Sequence, residues 1–94
     1  KMDVLDGLPR IGVAVAYRYK NKTFKQFPSD FEAVSKVTPV FKYLKGWRDP
    51  ICGARSYDDL PAAARDYVRY IEDQSGVKVS IISVGSGRED TIIR

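Results

Sequence analysis

The chain has 94 residues, 44% of them apolar and 12% aromatic, which suits one small domain with a modest core. Sixteen Lys and Arg against twelve Asp and Glu give a formal charge of +4, which favours anionic partners. Histidine is absent and Cys52 is the single cysteine. Ser-His and Cys-His nucleophilic catalysis, thiolate zinc clusters and internal disulfides are therefore excluded within these residues.

The sequence contains neither a bilayer-spanning apolar run nor a basic-then-apolar leader. Together with a lone cysteine, which is typical of a reducing compartment, this predicts a soluble cytoplasmic protein with no membrane partner. The chain opens abruptly at Lys1, without an initiator methionine. We therefore expect a segment of a longer protein, whose general base and metal ligands lie elsewhere.

The first eight residues, KMDVLDGL, place two carboxylates and an ammonium beside an apolar pair. The Asp3 carboxylate could accept two parallel hydrogen bonds from the N1–H and the N2 amine of guanine, a pair of donors that adenine lacks. Lys1 could lay its methylene stem on the face of the base while its charged end stays in water. An aspartate near a helix start is also a favourable dipole arrangement, so the octet alone leaves both interpretations open.

The first part of the chain predicts a helical turn followed by a β-hairpin. Residues 3–8 form the turn, which is ended by Gly7 and by Pro9. Residues 11–19 alternate strictly between apolar residues on one face and mostly small residues on the other, which is the pattern of a strand. A polar turn over residues 20–22 leads into a second strand over residues 23–27.

A short helix and an edge strand are predicted next. Ser29 and Glu32 have capping-box spacing, so a helix should begin there and run to about Lys36. Residues 38–44 are β-like, but Pro39 removes one donor from the hydrogen-bond ladder. The missing donor favours either an edge position or the start of a strand.

Three side chains between residues 46 and 57 have roles that the pattern leaves open. Trp47 is a core or lid aromatic in one interpretation and a base-stacking platform in the other. Cys52 has no histidine or second cysteine beside it, which favours an inert role. Arg55 could hold a phosphate, but pairing with the acidic step at residues 58–59 is the preferred interpretation.

The clearest helix covers residues 61–75, with a proline near its first turn and Gly76 just past its end. Its apolar stripe at helical spacing contains Ala64, Tyr67, Val68 and Ile71. On the opposite face Arg69 should meet Glu72 and Asp73. The pattern assigns this helix to the scaffold.

Residues 77–84 are apolar at nearly every position from Val79 onward, which predicts a strand buried on both faces inside an α/β sheet. The turn over residues 85–88, GSGR, follows at once. Ligands of open α/β sheets bind outside the carboxyl ends of strands, so this turn is well placed for a ligand. A Gly-x-Gly pair is also a common tight turn, and both the full dinucleotide fingerprint and the phosphate-loop motif are absent.

Five short motifs, taken together, follow the order of one enzyme family. They are KMDVLDGL at residues 1–8, VAVAY at 13–17, KGW at 45–47, ARSYDDLP at 54–61 and ISVGSGR at 82–88. In this combination the chain resembles the C-terminal portion of adenylosuccinate synthetase over essentially its whole length. The resemblance implies one segment of a larger P-loop-NTPase-like α/β enzyme, with an α/β or α+β fold of its own.

The resemblance also implies an activity, a GTP-dependent ligase that joins IMP to L-aspartate in purine synthesis with Mg²⁺ in place. In that family the γ-phosphoryl group of GTP moves to O6 of IMP, and the aspartate amine then displaces phosphate. Two family segments, Lys-x-Asp and Ser-x-Gly, hold the guanine of GTP. They map onto Lys1, Met2 and Asp3 and onto Ser83, Val84 and Gly85.

Within this mapping Asp3 meets the guanine N1–H and N2 amine, and Lys1 covers the ring face. Ser83 with the Gly85 backbone meets O6 or the base edge. Asp6 drops out of the site and is expected to be a local helix or turn partner.

The match to the family has one departure and one larger gap. Ser86 stands where many members carry proline, which loosens the turn without removing the groups that bind. The family's phosphate loop, catalytic aspartate and histidine, and IMP and aspartate loops have no counterpart in this chain. We therefore expect the 94 residues alone to be inactive, with Mg²⁺ ligands elsewhere and the complete enzyme a homodimer that needs no nucleic acid.

Two rival functions remain open at this stage. One is a stand-alone basic domain that binds RNA or another acidic partner through aromatic and basic hairpin residues. Those residues are Tyr17, Tyr19, Lys20, Lys22, Phe24 and Lys25. The other rival is a structural fragment with no affinity of its own. The role of Arg88, the dimer contacts and any regulation are not predicted by the sequence.

Overall fold

The computed structural model describes residues 1–26 and 35–94 as a small α+β fold. Its elements in chain order are a 3-10 helix (Met2–Leu5, the opening helix), β1 (Arg10–Tyr19), β2 (Lys22–Phe24), β3 (Thr38–Lys45), a second 3-10 helix (Tyr57–Asp59), α1 (Ala62–Ser75), β4 (Ile81–Ser83) and β5 (Thr91–Ile93). The chain divides into a larger unit, Lys1–Ile11 with Lys45–Arg94, and a smaller unit, Gly12–Leu44. No helix within the described ranges is long and apolar enough to cross a bilayer.

The smaller unit contains the predicted hairpin. β1 and β2 are antiparallel, with Tyr19 opposite Lys22. The two residues between them, Lys20 and Asn21, have positive φ angles of 49° and 64°, as a type I′ turn requires. This turn matches the right-handed twist of the strands, so it sets the register of the hairpin.

The third strand of this sheet lies at its edge, as Pro39 predicted. The strand order is β2-β1-β3, so β1 is central. The strand predicted for residues 23–27 begins one residue earlier and ends at Phe24. The capping box of Ser29 and Glu32 lies outside the described residues, and the next two described residues are helical.

The larger unit packs one face of α1 onto an apolar core. Buried residues of this unit are Ile11, Trp47, Ile51, Ala54, Leu60, Ala64, Val68, Ile82, Val84 and Ile92. α1 follows Pro61 and ends before Gly76, whose φ of 73° is left-handed, which confirms the predicted helix. Ala64 and Val68 of the predicted stripe are buried, with exposed fractions of 0% and 3%.

The segment after α1 is not a strand buried on both faces inside an α/β sheet, so that prediction was wrong. β4 pairs antiparallel with β5, placing Ile82 opposite Ile92 on a buried face. Ile81 and Ile93 also pair, but they are 66% and 79% exposed. The continuous apolar run therefore reflects one covered face and one bare apolar face, and not burial on both sides.

Asp6 ties the opening helix to the loop that follows β3. Trp47 Nε1 donates to Asp6 Oδ1 at 2.6 Å, and the Ile51 amide donates to Asp6 Oδ2 at 3.2 Å. These partners lie 41 and 45 residues further along the chain, so the expectation of a local helix or turn partner was wrong. Trp47 is 4% exposed, which confirms its core role and removes it as a base-stacking platform.

The ion pairs on α1 differ from those that the helical spacing predicted. Arg69 lies 4.0 Å from Asp66, on the preceding turn, and not beside Glu72. Glu72 instead accepts a hydrogen bond from the Val79 amide at 2.8 Å and one from Arg94 Nη1 at 3.1 Å. Glu72 therefore joins α1 to both flanks of the β4–β5 hairpin.

We expect Gly46→Ala to destabilise the fold. A Cβ at this position would overlap the Leu8 carbonyl oxygen, and the Gly46 amide already donates to Pro9 O at 3.0 Å. Because backbone must move to admit the methyl group, the free energy of unfolding of the intact protein should fall by about 2 kcal/mol or more. Urea unfolding measures this. Gly53→Ala is the matched control, since nothing lies within 4 Å of its added Cβ; equal losses would contradict the expectation.

We expect Glu72→Gln to cost stability in a pH-dependent way. The Val79 amide and then Arg94 hold the pKa of the Glu72 carboxyl below its ordinary value of 4.5. A lowered pKa in the folded state means that the charge stabilises the fold above the unfolded pKa, and that this contribution is lost as pH falls through the folded pKa. The drop in Tm should thus be larger at about pH 7 than at about pH 3.

Asp73→Asn is the control for this measurement, because Asp73 lies on the same helix and is exposed. It should leave Tm nearly unchanged at both pH values. A Tm loss for Glu72→Gln that is the same at both would show that the carboxylate charge is not responsible.

Candidate functional site

The opening helix and β4 come from opposite ends of the chain and lie against one another in the larger unit. With α1 they line an open cavity of about 450 Å³. Its lining residues are Lys1, Met2, Val4, Leu5, Tyr67, Val68, Ile71, Val79, Ile81, Ile82 and Ser83. The two segments that the sequence assigned to guanine therefore meet, and Lys1, Met2 and Ser83 share one cavity wall.

Asp3 lies in the first turn of the opening helix and is half-buried. Its Oδ1 atom is shielded from water and has no hydrogen-bond partner among the described residues. A buried acceptor without a donor costs about 1–3 kcal/mol, and more when it is charged. Native structures leave few such atoms, and each one asks for an explanation. Asp3 is not part of the cavity lining itself, since its neighbours Met2 and Val4 occupy that surface.

The Ser83 segment presents a hydroxyl and backbone groups. Ser83 Oγ donates to the Gly85 carbonyl at 3.1 Å, so its lone pairs remain as acceptors. Val84 is fully buried, and its amide donates to Asp90 O at 2.8 Å. The Val84 side chain and amide are therefore not available to a ligand, and Val84 can contribute only by setting the backbone path between Ser83 and Gly85.

Gly85 belongs to the hairpin loop between β4 and β5. The sequence placed it after the carboxyl end of a strand in an open α/β sheet. Gly85 does follow β4, but β4 pairs antiparallel with β5 in a hairpin. The loop is closed by Asp90: its amide donates to Gly87 O at 3.1 Å, and its Oδ2 accepts from the Gly87 amide at 3.0 Å. The turn is thus shaped by a side chain across the loop.

Asp90 lies near this site although the sequence did not single it out, and Arg55 has a different side-chain partner from the one predicted. Arg55 Nη2 lies 3.3 Å from Asp90 Oδ1, so Arg55 pairs with Asp90 and not, as predicted, with the side chains of the 58–59 step. The available signal was local: an aspartate three residues after Gly87 can cap that glycine's amide. The Arg55 partner, by contrast, depends on tertiary structure.

The 58–59 step has a different role, in which a carboxylate binds backbone. Asp59 Oδ2 accepts hydrogen bonds from the Arg55 amide at 3.0 Å and the Ser56 amide at 3.1 Å. These two donors lower the pKa of the Asp59 carboxyl below its ordinary value. Asp59 therefore stays ionised at neutral pH and holds the backbone from which the Arg55 side chain extends.

Other candidate residues are not gathered at this wall. Cys52 is an exposed free thiol, and Arg88 is exposed. Within residues 1–26 and 35–94 no three Asp, Glu or Cys side chains form a cluster that could hold a metal ion. In the smaller unit Tyr17 and Tyr19 are half-buried and Phe24 is exposed, so the hairpin offers only a partial aromatic surface to a nucleic acid.

The chemistry available at the wall is recognition. An exposed ammonium, a carboxylate short of donors and a serine hydroxyl flank an apolar cavity. Such a combination suits a flat heterocycle that carries neighbouring N–H donors on one edge. The Ser83 hydroxyl donates to a backbone carbonyl and not to a base that would activate it as a nucleophile.

Known proteins resemble this chain along nearly its whole length. A family model described as adenylosuccinate synthetase matches residues 1–92. Adenylosuccinate synthetases of Carboxydothermus hydrogenoformans and Desulfosudis oleivorans are 47% and 45% identical over 93 residues, which is 99% of this chain and 22% of each relative.

A solved structure is similar as well. Fully ligated adenylosuccinate synthetase from Plasmodium falciparum matches 100% of this chain and 23% of its own, with a TM-score of 0.91 at 28% identity. The chain thus spans less than a quarter of the length of these relatives. Because the family model covers nearly all of the sequence and the fold agrees with that of a family member, the chain belongs to the adenylosuccinate synthetase family.

Proposed function

We propose that this chain is a segment of a GTP-dependent ligase that forms adenylosuccinate from IMP and L-aspartate, and that it supplies one wall of the guanine site. Family membership supports the enzyme. The single observation that supports the site is the Asp3 carboxylate, whose Oδ1 lacks a donor beside a cavity shared by the two predicted guanine segments. The position of this segment in the C-terminal portion of the enzyme stays a prediction from the motif order.

The proposed chemistry divides the work within the complete enzyme. The guanine N1–H and N2 amine donate two parallel hydrogen bonds to the Asp3 carboxylate. One of them satisfies Oδ1, which otherwise has no hydrogen-bond donor. The methylene stem of Lys1 covers the base, and the Ser83 segment meets its O6 edge. GTP held in this way directs its γ-phosphoryl group towards IMP O6, which then becomes a leaving group for the aspartate amine.

The rest of the synthetase supplies what this segment does not. The proposal assigns the phosphate loop of a P-loop-NTPase-like fold, the catalytic residues and the Mg²⁺ ligands to that remaining part. The 94 residues alone are then a binding wall and not a catalyst. The complete enzyme acts as a cytoplasmic homodimer on small-molecule substrates, without nucleic acid.

Asp3→Asn in the complete synthetase should weaken GTP far more than IMP. The substitution turns one acceptor oxygen into an amide donor that faces a guanine donor, which costs about 1.5–3 kcal/mol for a hydrogen bond to a charged group. We expect the KM for GTP to rise about 10- to 100-fold, with the KM for IMP within about twofold of wild type. Steady-state kinetics with each substrate varied in turn measures both.

A base analogue sharpens this test. ITP lacks the N2 amine, so wild-type enzyme should prefer GTP over ITP and Asp3→Asn should narrow that preference. Asp49→Asn is the control because Asp49 is an exposed carboxylate outside the wall. An Asp3→Asn enzyme with unchanged GTP KM and unchanged GTP-over-ITP preference would overturn the assignment of Asp3 to guanine.

A further inference from the structure

We propose that Asp90 and Arg55 act as a positioning pair that holds the Ser83–Gly85 turn in the shape that receives the base. This inference rests on the proposed guanine site. Neither residue touches the cavity, so each acts through the turn. The pair would set how well the enzyme holds GTP without taking part in the transfer step.

The Asp90 side chain is the contact that closes the turn. Its Oδ2 accepts the Gly87 amide at 3.0 Å, while its backbone carbonyl accepts the Val84 amide at 2.8 Å. The same carboxylate packs so closely that a Cβ on Gly85 would lie 2.5 Å from Oδ2. Asp90 therefore contacts Val84, Gly85 and Gly87 in turn. Its position determines where the Gly85 backbone lies.

Arg55 fixes the other oxygen of that carboxylate. Its Nη2 lies 3.3 Å from Asp90 Oδ1, and its Nη1 donates to Cys52 O at 3.0 Å and Ala54 O at 3.1 Å. Hydrogen bonds to the backbone of the preceding residues therefore hold the guanidinium in place, independently of its ion pair with Asp90. A planar guanidinium held in this way fixes the direction of the carboxylate as well as its charge.

The anchor of Arg55 is itself built from a carboxylate. Asp59 binds the amides of Arg55 and Ser56 in a capping box that begins the second 3-10 helix. Contacts thus run from Asp59 through the Arg55 loop to Asp90 and on to the Gly85 turn. Each contact in this series is within the larger unit, so the loop and the turn form one connected structure.

Removal of the pair should weaken the binding of GTP and leave the binding of IMP and aspartate unchanged. With Asp90→Ala the Gly87 amide loses its acceptor and the turn loses its closing contact. With Arg55→Gln the turn keeps that acceptor and loses only the ion pair. Because neither residue contacts a reacting atom, the expected effect is a raised KM for GTP with kcat largely retained.

The test measures steady-state kinetics of the full-length synthetase carrying Asp90→Ala, Asp90→Asn, Arg55→Gln or the double substitution. Asp90→Ala should raise the KM for GTP about tenfold or more, because the partly buried Gly87 amide loses its acceptor. Arg55→Gln should raise it about two- to fivefold, the range of a half-exposed ion pair. Asp90→Asn keeps an oxygen for the Gly87 amide, so it should restore most of the affinity lost in Asp90→Ala.

The double substitution tests whether the two residues act as a pair. In Asp90→Ala the ion pair is already gone, so adding Arg55→Gln should raise the KM for GTP by less than about twofold further. Asp66→Ala is the matched control, since it removes an exposed carboxylate from an ion pair with Arg69 elsewhere on the surface. It should leave all kinetic constants near wild type.

Two results would overturn the inference. One is an unchanged KM for GTP in Asp90→Ala; the other is an equal loss for GTP, IMP and aspartate, which would indicate general damage to the fold. If Asp90→Ala does not yield folded enzyme, Arg55→Gln decides, because the Arg55 side chain is 52% exposed and its loss leaves the core intact. Asp3→Asn, measured in parallel, separates the two proposals. A raised KM for GTP in Asp3→Asn together with an unchanged KM for GTP in the Asp90 and Arg55 variants would contradict only the positioning pair.

Discussion

The wall of the proposed site depends on one carboxylate, that of Asp6. Its two oxygens accept the Trp47 indole N–H at 2.6 Å and the Ile51 amide at 3.2 Å, while the Gly7 amide donates to Trp47 O at 2.9 Å. Hydrogen bonds to an ionised acceptor are stronger than neutral ones, and an indole is a large rigid anchor. The opening helix has only one short 3-10 turn of its own, so these contacts hold it against the core.

The two aspartates of the opening octet therefore divide structure and recognition between them. Asp6 is satisfied by the chain itself, whereas Asp3 keeps an oxygen that no described group satisfies. A folded protein that leaves a carboxylate oxygen dry and unpaired bears a cost that a donor-bearing ligand removes on binding. Spacing within KMDVLDGL does not distinguish the two residues; only their tertiary partners do.

The sequence predicted features that depend on local interactions and missed those that depend on residues distant in the chain. The β1–β2 hairpin, the edge position of β3 and the bounds of α1 depend on neighbours in sequence, through a polar turn, a missing donor and the residues that start and end a helix. The side-chain partners of Asp6 and Arg55 lie far along the chain, and both predictions of a nearby partner were wrong. The prediction for Arg69 was also wrong, because it pairs with Asp66 on the preceding turn and not with Glu72. The meeting of residues 1–8 with Ser83 was anticipated from the family resemblance and not from local pattern.

The largest error, the interior strand over residues 77–84, also changes how the turn after it works. At the end of a strand in a larger parallel sheet, the hydrogen bonds of the sheet would by themselves fix the position of a glycine-rich turn and present its backbone to a ligand. In a hairpin with strands as short as Ile81–Ser83 and Thr91–Ile93 the ladder is too brief to fix the loop. The shape of the Gly85 turn must then come from side chains across it, and Asp90, held in place by Arg55, provides them. Recognition by such a turn thus depends on residues outside the Ser-x-Gly motif.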